Sequence, residues 1–337
     1  MPKVTFELSQ AVDALVNGKL VAFPTETVYG LGGDATNEQA IKRIYEVKGR
    51  PTDRPLIVHV SDIATVKKIV LNWSVNESKL ASRFWPGPLT LILSNRGLIS
   101  EFVSVGQKTV AVRIPSHPFA LSMLKSFSEI GSGIVAAPSA NRFSFVSTTK
   151  AEDVASSLND HLDKADVIVK SSSQEECKFG LESTIVDCSG EEPIILRLGV
   201  IKKSEIESCL GKRVRISRNN GETKKYSGSS LVHYSPRTAL KVMTPNQIES
   251  DLAALCEMGK TFLWCFEKPS KTHQNLIVEI APSVALKYGQ QLYSKLNDLD
   301  RRELSLIIFE QPPLGEDWNV VCDRLEKAKN RSSTLEF

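Results

Sequence analysis

The stretch from Val21 to Val60 constrains the fold of this chain more than any other part of the sequence. A short apolar run from Leu20 to Phe23 leads into a turn-rich segment. A helical pattern then extends from Thr36 to Val47, and a second apolar run covers Leu56 to Val60. This order predicts strand, loop, helix, loop and strand, with hydroxyl groups at the first corner and cations at the second. Such a unit can hold a small anion between its two loops.

The ends of this helix carry their own signals. Thr36 and Gln39 have the spacing of a capping box, in which each side chain satisfies a free backbone N–H group. Gly49 stands where a left-handed residue usually ends a helix, so Lys48 and Arg50 flank the carbonyl end. Local sequence alone leaves open whether these two cations bind a ligand or only cap the helix.

Length and composition set further bounds. A chain of 337 residues exceeds the usual size of one core, which predicts two domains. Its net charge of +3 argues against a protein that coats nucleic acid. The six cysteines form no C-x-x-C pair, which argues against a zinc site or a disulfide framework. With no run of 18 apolar residues and no signal peptide, we expect a cytoplasmic protein that does not span a membrane.

The rest of the first 216 residues is rich in predicted strands, and helices are fewer. This pattern favours a first domain with a mixed α/β sheet over one with a strictly alternating parallel sheet. Arg113 lies near the end of the run from Thr109 to Ile114, and ligands tend to bind at strand ends in α/β sheets. We therefore expect Arg113 to be a site residue rather than a core residue. The run from Gly133 to Ala137 stops at a corner rich in small and hydrogen-bonding residues.

A change in composition marks a linker at residues 217–237. Residues 202–225 contain eight Lys and Arg against three Glu, which leaves contact with RNA open beside a solvated surface. From residue 238 to 337, strands and helices alternate, which predicts a smaller Rossmann-like α/β domain. That domain contains no G-x-G-x-x-G and no P-loop motif, so it gives no sign of a nucleotide site of its own.

The chain lacks the motifs of several enzyme classes. It contains no G-x-S-x-G, no H-E-x-x-H and no P-loop. What stands at the predicted strand ends is a set of cations and hydroxyls, namely Thr27, Lys48, Arg50, Arg54, His59, Thr109, Arg113, Ser139, Ser147, Ser183 and Arg197. Such a set, without a clear acid–base pair, suits phosphate and carboxylate recognition, with catalysis by positioning and charge neutralisation.

Six segments in order carry a resemblance to a known family. They read PTETVYGLG, YEVKGRPTDRPLIVHV, TVAVRIP, APSAN, GLESTIVD and ILRLG. Together they resemble the threonylcarbamoyl-AMP synthase family with its YrdC-type domain, over roughly residues 8 to 200. The HYSP segment and the second domain are similar to the longer, two-domain form. Where the linker of that family commonly reads SPGMKYKHYAP, this chain reads SGSSLVHYSP.

The resemblance implies a reaction and its participants. L-Threonine, bicarbonate and ATP would give threonylcarbamoyl-adenylate and pyrophosphate, and partner proteins would use the adenylate to modify the adenosine next to the anticodon of tRNA. Mg²⁺ is expected with ATP, held mainly by the phosphates rather than by a protein ligand set. Lys48, Arg50 and Arg54 would neutralise charge during the reaction. Two alternatives stay open: an RNA-binding module, and a related carbamoyl transferase.

The resemblance also assigns residues to the two substrates. Those expected to bind L-threonine are Thr27, His59, Arg113, Ala137 and Ser183. Those expected to bind ATP are Lys48, Arg50, Arg54, Thr109, Ser139, Ser147, Arg197 and, in the linker, Tyr234.

Overall fold

The computed structural model describes residues 1–171, 177–217, 226, 228 and 233–329. The chain forms two compact units. The first consists of Met1–Phe143 and Ser147–Ser229, and the second of Ser144–Val146 and Ser230–Phe337. Of the predicted linker at 217–237, only residues 217, 226, 228 and 233–237 are among those described.

Within the described residues, the first unit contains one sheet of eleven strands. In chain order they are β1 (Lys3–Thr5), β2 (Val21–Phe23), β3 (Gly30–Asp34), β4 (Ile57–His59), β5 (Leu89–Ser94), β6 (Thr109–Arg113), β7 (Val135–Ala136), β8 (Val167–Val169), β9 (Thr184–Asp187), β10 (Ile194–Arg197) and β11 (Arg215–Ile216). They lie side by side as β1-β8-β2-β3-β7-β4-β6-β5-β9-β10-β11. Strand β6 pairs in parallel with β4 and antiparallel with β5, so the predicted mixed sheet is confirmed.

Helices of the first unit pack against this sheet. They are α1 (Leu8–Val16), α2 (Glu38–Lys48), α3 (Ile63–Ile69), α4 (Val75–Phe84), α5 (Glu101–Ser104), α6 (Pro118–Ile130), α7 (Ala151–Leu158) and α8 (Lys203–Leu210). Since side chains alternate along a strand, β2 contributes to two cores. Ala22 joins the larger core with α2, α3, α4, α7 and α8, whereas Val21 and Phe23 join a smaller core with α1 and α6.

A third apolar cluster lies on strands β4, β5, β9 and β10. Its buried strand residues, which we call the apolar floor, are Ile57, Ile92, Ile185 and Leu196. Their neighbours along each strand point into the larger core instead, so the floor faces the opposite side of the sheet. Among the described residues no helical side chain belongs to this cluster; Tyr226 packs on it and is 5% exposed.

Helix α2 follows the prediction closely but begins differently. The N-cap is Asn37, whose side chain accepts hydrogen bonds from the backbone N–H groups of Gln39 and Ala40. The predicted capping box at Thr36 is wrong, because the Thr36 hydroxyl donates to Asp34 Oδ1 (2.8 Å) instead. Gly49 ends the helix with φ 58°, a left-handed conformation that costs glycine no steric penalty. Lys48 therefore lies in the last turn, as predicted.

The second unit has a four-stranded parallel sheet in the order β12-β15-β13-β14. Its elements are β12 (Leu240–Met243), α9 (Pro245–Glu257), β13 (Thr261–Cys265), β14 (Leu276–Ile280), α10 (Ala285–Asp300), β15 (Leu306–Glu310), a 3-10 turn (Glu316–Trp318) and α11 (Asn319–Lys329). The predicted α/β character of this part is confirmed, although β13 is followed directly by β14 without a helix between them. Across the described residues of the whole chain, no helix combines the length and hydropathy needed to cross a bilayer.

Candidate active site

Arg113, the last residue of β6, lies at the centre of the candidate site. Its Nη1 donates a hydrogen bond to Thr27 Oγ1 (2.9 Å), and its Nε donates to the Gly87 carbonyl (3.3 Å). Its Nη2 lies 2.7 Å from Glu26 Oε1. Arg113 is only 4% exposed, but it belongs to none of the apolar core clusters. Its predicted place at a strand end is confirmed. Glu26 offsets the charge that burial would otherwise leave uncompensated.

The loop after β2 fixes the Thr27 hydroxyl toward Arg113. Thr25 Oγ1 donates to the Val28 carbonyl (2.6 Å) and accepts from the backbone N–H groups of Thr27 (3.2 Å) and Val28 (3.3 Å). A threonine side chain bonded to its own turn in this way replaces a backbone turn and stiffens the loop. The two threonine hydroxyl oxygens lie 2.9 Å apart, so both face the same small volume.

His59 ends β4 and is the strand partner of Arg113. It is buried, and its Nδ1 lies 3.2 Å from the Ile57 carbonyl, which assigns the ring proton to Nδ1. Burial, and secondarily the charge of Arg113, lowers the pKa of His59 to about 3. The ring is therefore neutral at physiological pH, and its Nε2 can accept a hydrogen bond.

Ser183 and Arg197 meet at the start of β9. Arg197 Nη2 donates to both the Ser183 carbonyl (2.9 Å) and the Ser183 hydroxyl (3.1 Å). The Ser183 hydroxyl also lies 2.8 Å from Thr90 Oγ1. Gly199 makes this packing possible: a Cβ there would lie 2.3 Å from Thr184 N and 2.4 Å from Ser183 C, so no other residue fits without moving the strand.

Lys48 is fully enclosed at the end of α2. Its Nζ donates to the Ser139 carbonyl (2.6 Å) and to the Asn141 carbonyl. Burial lowers the pKa of Lys48 well below its usual value, and the charges of Arg50 and Arg142 lower it further. An anion placed beside these cations would favour the charged ammonium, so the environment of Lys48 suits a group that brings negative charge with it.

Arg50 and Arg54 belong to the basic loop after α2. Arg50 Nη2 donates to the Pro55 carbonyl (3.0 Å), and its guanidinium lies 5.8 Å from the centre of the Phe143 ring. The Tyr45 hydroxyl donates to the Arg54 carbonyl (2.8 Å), so the helix holds the backbone of this loop. Arg54 keeps 28% of its side chain exposed, whereas Lys48 and Arg50 are buried.

Three further predicted residues lie on segments that meet this region. Ser147 Oγ donates to Glu182 Oε1 (2.9 Å), next to Ser183. Ser139 pairs with Gly30 at the start of β3, and the Ala137 N–H donates to the Ile57 carbonyl (2.9 Å), two residues before His59. Residues 137–141 therefore border both the Arg113 side and the Lys48 side of the site.

Two predicted residues remain, Thr109 and Tyr234. Thr109 opens β6 four residues before Arg113, which at about 3.3 Å per residue places their Cα atoms roughly 13 Å apart. Tyr234 belongs to the second unit, where it is 1% exposed and stacks on Tyr293 with ring centres 5.5 Å apart. Arg324 lies over its ring at 5.1 Å. The ATP-binding roles of both residues stay predictions.

Two buried carboxylates are absent from the residues predicted to form the site. Glu26 lies against Arg113, and Glu182 accepts the Ser147 hydroxyl. Each stands inside a quoted motif, PTETVYGLG or GLESTIVD. The sequence signal that could have identified them is an acidic residue within an apolar and hydroxyl-rich segment at a strand end. A carboxylate in such a segment is buried only when it has a partner, so it indicates a paired residue in the site.

The arrangement can bind a carboxylate on one side and phosphates on the other. Arg113, Thr27, His59 and Ser183 offer a guanidinium, two hydroxyls and a neutral imidazole within adjoining strand ends. The basic loop adds positive charge beside them. Within the described ranges, no group of three or more His, Cys, Asp or Glu is placed to hold a metal ion.

Comparisons with known proteins match both parts of the chain to described families. The Sua5/YciO/YrdC family model, described as telomere recombination, matches residues 13–199. A model described as the threonylcarbamoyl-AMP synthase C-terminal domain matches residues 201–329. This chain belongs to the threonylcarbamoyl-AMP synthase family. The predicted family is therefore confirmed across both parts of the chain.

Members of the threonylcarbamoyl-AMP synthase family from distant organisms resemble this chain over nearly its whole length. The threonylcarbamoyl-AMP synthase of Bacillus subtilis (strain 168) is 34% identical over 332 residues, which cover 96% of this chain and 92% of that protein. The threonylcarbamoyl-AMP synthase of Pyrococcus abyssi (strain GE5 / Orsay) is 38% identical over 324 residues, which cover 92% of this chain and 90% of that protein.

Solved structures agree with this family assignment. The crystal structure of P. abyssi Sua5 complexed with L-threonine matches with a TM-score of 0.86 and 31% identity, over 98% of both chains. A variant of the same protein with a neighbouring histidine and tyrosine replaced by alanine matches with a TM-score of 0.86 and 30% identity, over 98% of this chain and 97% of that one.

Proposed function

We propose that this chain is a threonylcarbamoyl-AMP synthase. It would convert L-threonine, bicarbonate and ATP into L-threonylcarbamoyl-adenylate and pyrophosphate. The observation that carries the proposal is the buried Arg113, with Thr27 and His59 beside it. The chain that contains it matches the L-threonine complex of P. abyssi Sua5 over 98% of both chains. A guanidinium beside hydroxyl and imidazole groups suits an amino acid with a carboxylate and a side-chain hydroxyl.

The first side of the site would bind L-threonine. Arg113 would bind the substrate carboxylate, and the neutral His59 would accept a hydrogen bond from the substrate hydroxyl through Nε2. Thr27 and Ser183 would complete the polar wall, with the backbone at Ala137 beside them. Because His59 carries no charge, it adds no repulsion toward the substrate ammonium group.

The second side would bind ATP through Lys48, Arg50, Arg54, Ser139, Ser147 and Arg197, with Thr109 and Tyr234 predicted as further contacts. The carbamate of threonine loses CO₂ readily in water, so its oxygen must attack the α-phosphate in a shielded site. Lys48, Arg50 and Arg54 would neutralise the charge that develops on the leaving pyrophosphate. With this chemistry the chain would be a nucleotidyltransferase. Mg²⁺ would arrive with ATP and be held mainly by its phosphates.

Downstream, the adenylate would pass to proteins that transfer the threonylcarbamoyl group to tRNA, which we place in the cytoplasm. Direct contact between this chain and tRNA would be weak and carried by the basic stretch at residues 202–225.

The test is pyrophosphate release from the purified full chain. We expect release only when L-threonine, bicarbonate and ATP are all present, together with a product that has the mass of threonylcarbamoyl-adenylate. Release that does not depend on L-threonine would contradict the proposal. Tight, steeply salt-dependent tRNA binding without ATP turnover would favour the RNA-binding alternative instead.

A further inference from the structure

Glu26 is a buried carboxylate whose hydrogen-bonding capacity is unused. It is 3% exposed, and its Oε1 lies 2.7 Å from Arg113 Nη2. Among the described residues neither oxygen of Glu26 accepts a hydrogen bond, and Arg113 Nη2 donates none. The two groups attract each other as charges, but they are not aligned as a hydrogen-bonded pair. The backbone holds the residue in place, since the Glu26 carbonyl accepts from Phe179 N (2.8 Å).

Asp166, a buried carboxylate with a purely structural role, has the hydrogen-bond donors that Glu26 lacks. Asp166 in the same unit is fully buried and accepts four hydrogen bonds. Its donors are the backbone N–H groups of Leu20 (2.9 Å) and Asp163 (2.7 Å) and both terminal nitrogens of Arg43 (3.0 and 2.8 Å). Four donors match the capacity of a carboxylate. Glu26 has the same burial without these donors, which is costly unless a ligand supplies them.

The geometry of Arg113 indicates where such a ligand lies. Its Nε donates to the Gly87 carbonyl and its Nη1 to Thr27, which leaves Nη2 as the group that can receive a substrate. A carboxylate bound along the Nη1–Nη2 edge lies directly beside Glu26. In an α-amino acid, a single carbon separates the carboxylate from the ammonium group. The ammonium of a substrate held by Arg113 therefore lies within reach of Glu26.

We propose that Glu26 binds the α-ammonium group of the substrate and makes the site selective for zwitterionic amino acids over simple hydroxy acids. The inference rests on the proposed function, since it takes L-threonine as the ligand of Arg113. Glu26 and Arg113 together carry no net charge. A zwitterion places its carboxylate beside Arg113 and its ammonium group beside Glu26. A hydroxy acid without the ammonium group would add a second carboxylate beside Glu26 and leave its oxygens without donors.

The experiment compares Glu26→Gln with the wild-type full chain by calorimetric titration. The two ligands are L-threonine and 3-hydroxybutyrate of matching hydroxyl configuration, which has hydrogen in place of the ammonium group. We expect the wild type to prefer L-threonine. In Glu26→Gln, L-threonine affinity should fall about 10- to 100-fold, as for loss of a charged hydrogen bond, while 3-hydroxybutyrate affinity should change by less than about threefold.

Two controls keep the result interpretable. Glu26→Asp keeps the charge on a shorter side chain and should retain the preference for L-threonine if Glu26→Gln fails to fold. Glu38→Gln, on the exposed surface of α2, should behave as the wild type. A Glu26→Gln protein that still prefers L-threonine over 3-hydroxybutyrate would overturn the inference. An equal loss of affinity for both ligands would also overturn it, because it would show that Glu26 only positions Arg113. A wild type that binds no L-threonine would overturn the proposed function as well.

Discussion

Arg113 carries two roles, one in binding and one in the stability of the first unit. Its guanidinium is buried against Glu26, so removal of the guanidinium leaves a buried carboxylate without a counter-charge. Breaking a buried pair by truncating one partner costs about 3–5 kcal/mol. Replacing both partners with apolar residues costs much less, because no charge is then left behind.

The first prediction follows from this asymmetry. Arg113→Ala should abolish pyrophosphate release and lower the free energy of unfolding of the first unit by about 3–5 kcal/mol. The double variant Arg113→Met with Glu26→Leu should recover most of that stability and none of the activity. Urea denaturation and the pyrophosphate assay measure the two effects separately. Full stability in Arg113→Ala would mean that the pair contributes nothing to the fold.

His59 gives the second prediction, which concerns pH. Burial holds the pKa of its folded form at about 3, below the value of about 6.5 in the unfolded chain. Below about pH 6.5 the unfolded state therefore binds a proton that the folded state does not. This favours unfolding by about 1.4 kcal/mol for each pH unit until about pH 3.

The measurement is urea denaturation between pH 7 and pH 4 for the wild type and His59→Gln. Gln cannot titrate, so the difference between the two proteins isolates the histidine. We expect the wild type to lose stability more steeply as the pH falls. Parallel pH profiles would show that His59 takes up its proton in the folded state.

Gly199 shows how one residue positions a whole element. It follows β10, and its Cα lies so close to the start of β9 that an added Cβ would meet the backbone at 2.3–2.6 Å. Backbone atoms cannot give way as a flexible side chain can. The tight approach holds Ser183 and Arg197 in hydrogen-bonding distance, so the β9–β10 pair sets the position of both groups.

The third prediction is therefore that Gly199→Ala lowers stability by about 1–3 kcal/mol, as for overpacking, and weakens substrate binding at Ser183. Gly190, in the turn between the same two strands, is a matched control, since a Cβ there meets nothing within 4 Å. Gly190→Ala should leave both properties unchanged. Thermal unfolding and L-threonine titration of the two variants provide the comparison, and equal behaviour would remove Gly199 from this role.

For single helices and strands, the sequence predicted the elements well. It predicted less well where they end and which residues contact them. The pattern from Thr36 to Val47 predicted α2, but Thr36 and Asn37 are both good N-cap residues, and only the fold decides that Asn37 faces the free N–H groups. The alternation in β6 placed Arg113 at a strand end. Its burial could not be predicted, because Glu26 reaches it from a loop 87 residues earlier in the chain.

At the scale of the whole molecule, the first unit has a sheet and cores of its own. The fourth prediction is that a chain without residues 230–337 keeps the fold of the first unit but loses most pyrophosphate release. The reason is that the linker motif with His233 and Tyr234, predicted to close over the nucleotide, is removed. Circular dichroism and the pyrophosphate assay test the two parts. Unchanged activity would make the second unit an accessory.

Tyr226 provides the contrasting variant in the full chain. It packs on the apolar floor, so Tyr226→Ala should lower the stability of the first unit by about 3 kcal/mol, as for other buried aromatic truncations. Tyr226→Phe keeps the ring and should cost far less. Comparing the Tyr226 variants with the truncated chain distinguishes a loss of stability caused by poorer packing of the sheet from a loss of activity caused by removal of the linker motif.

The assignment of Ser144–Val146 to the second unit matters for anyone who wishes to dissect the chain. Phe145 pairs with Ser235 there, and the Ser235 N–H donates to the Ser144 carbonyl (3.0 Å). A fragment that begins at residue 230 therefore lacks three residues of its own unit, and they lie more than 80 positions upstream. Separating the two units takes three cuts rather than one, so a short peptide would have to be supplied in trans to complete the C-terminal fragment.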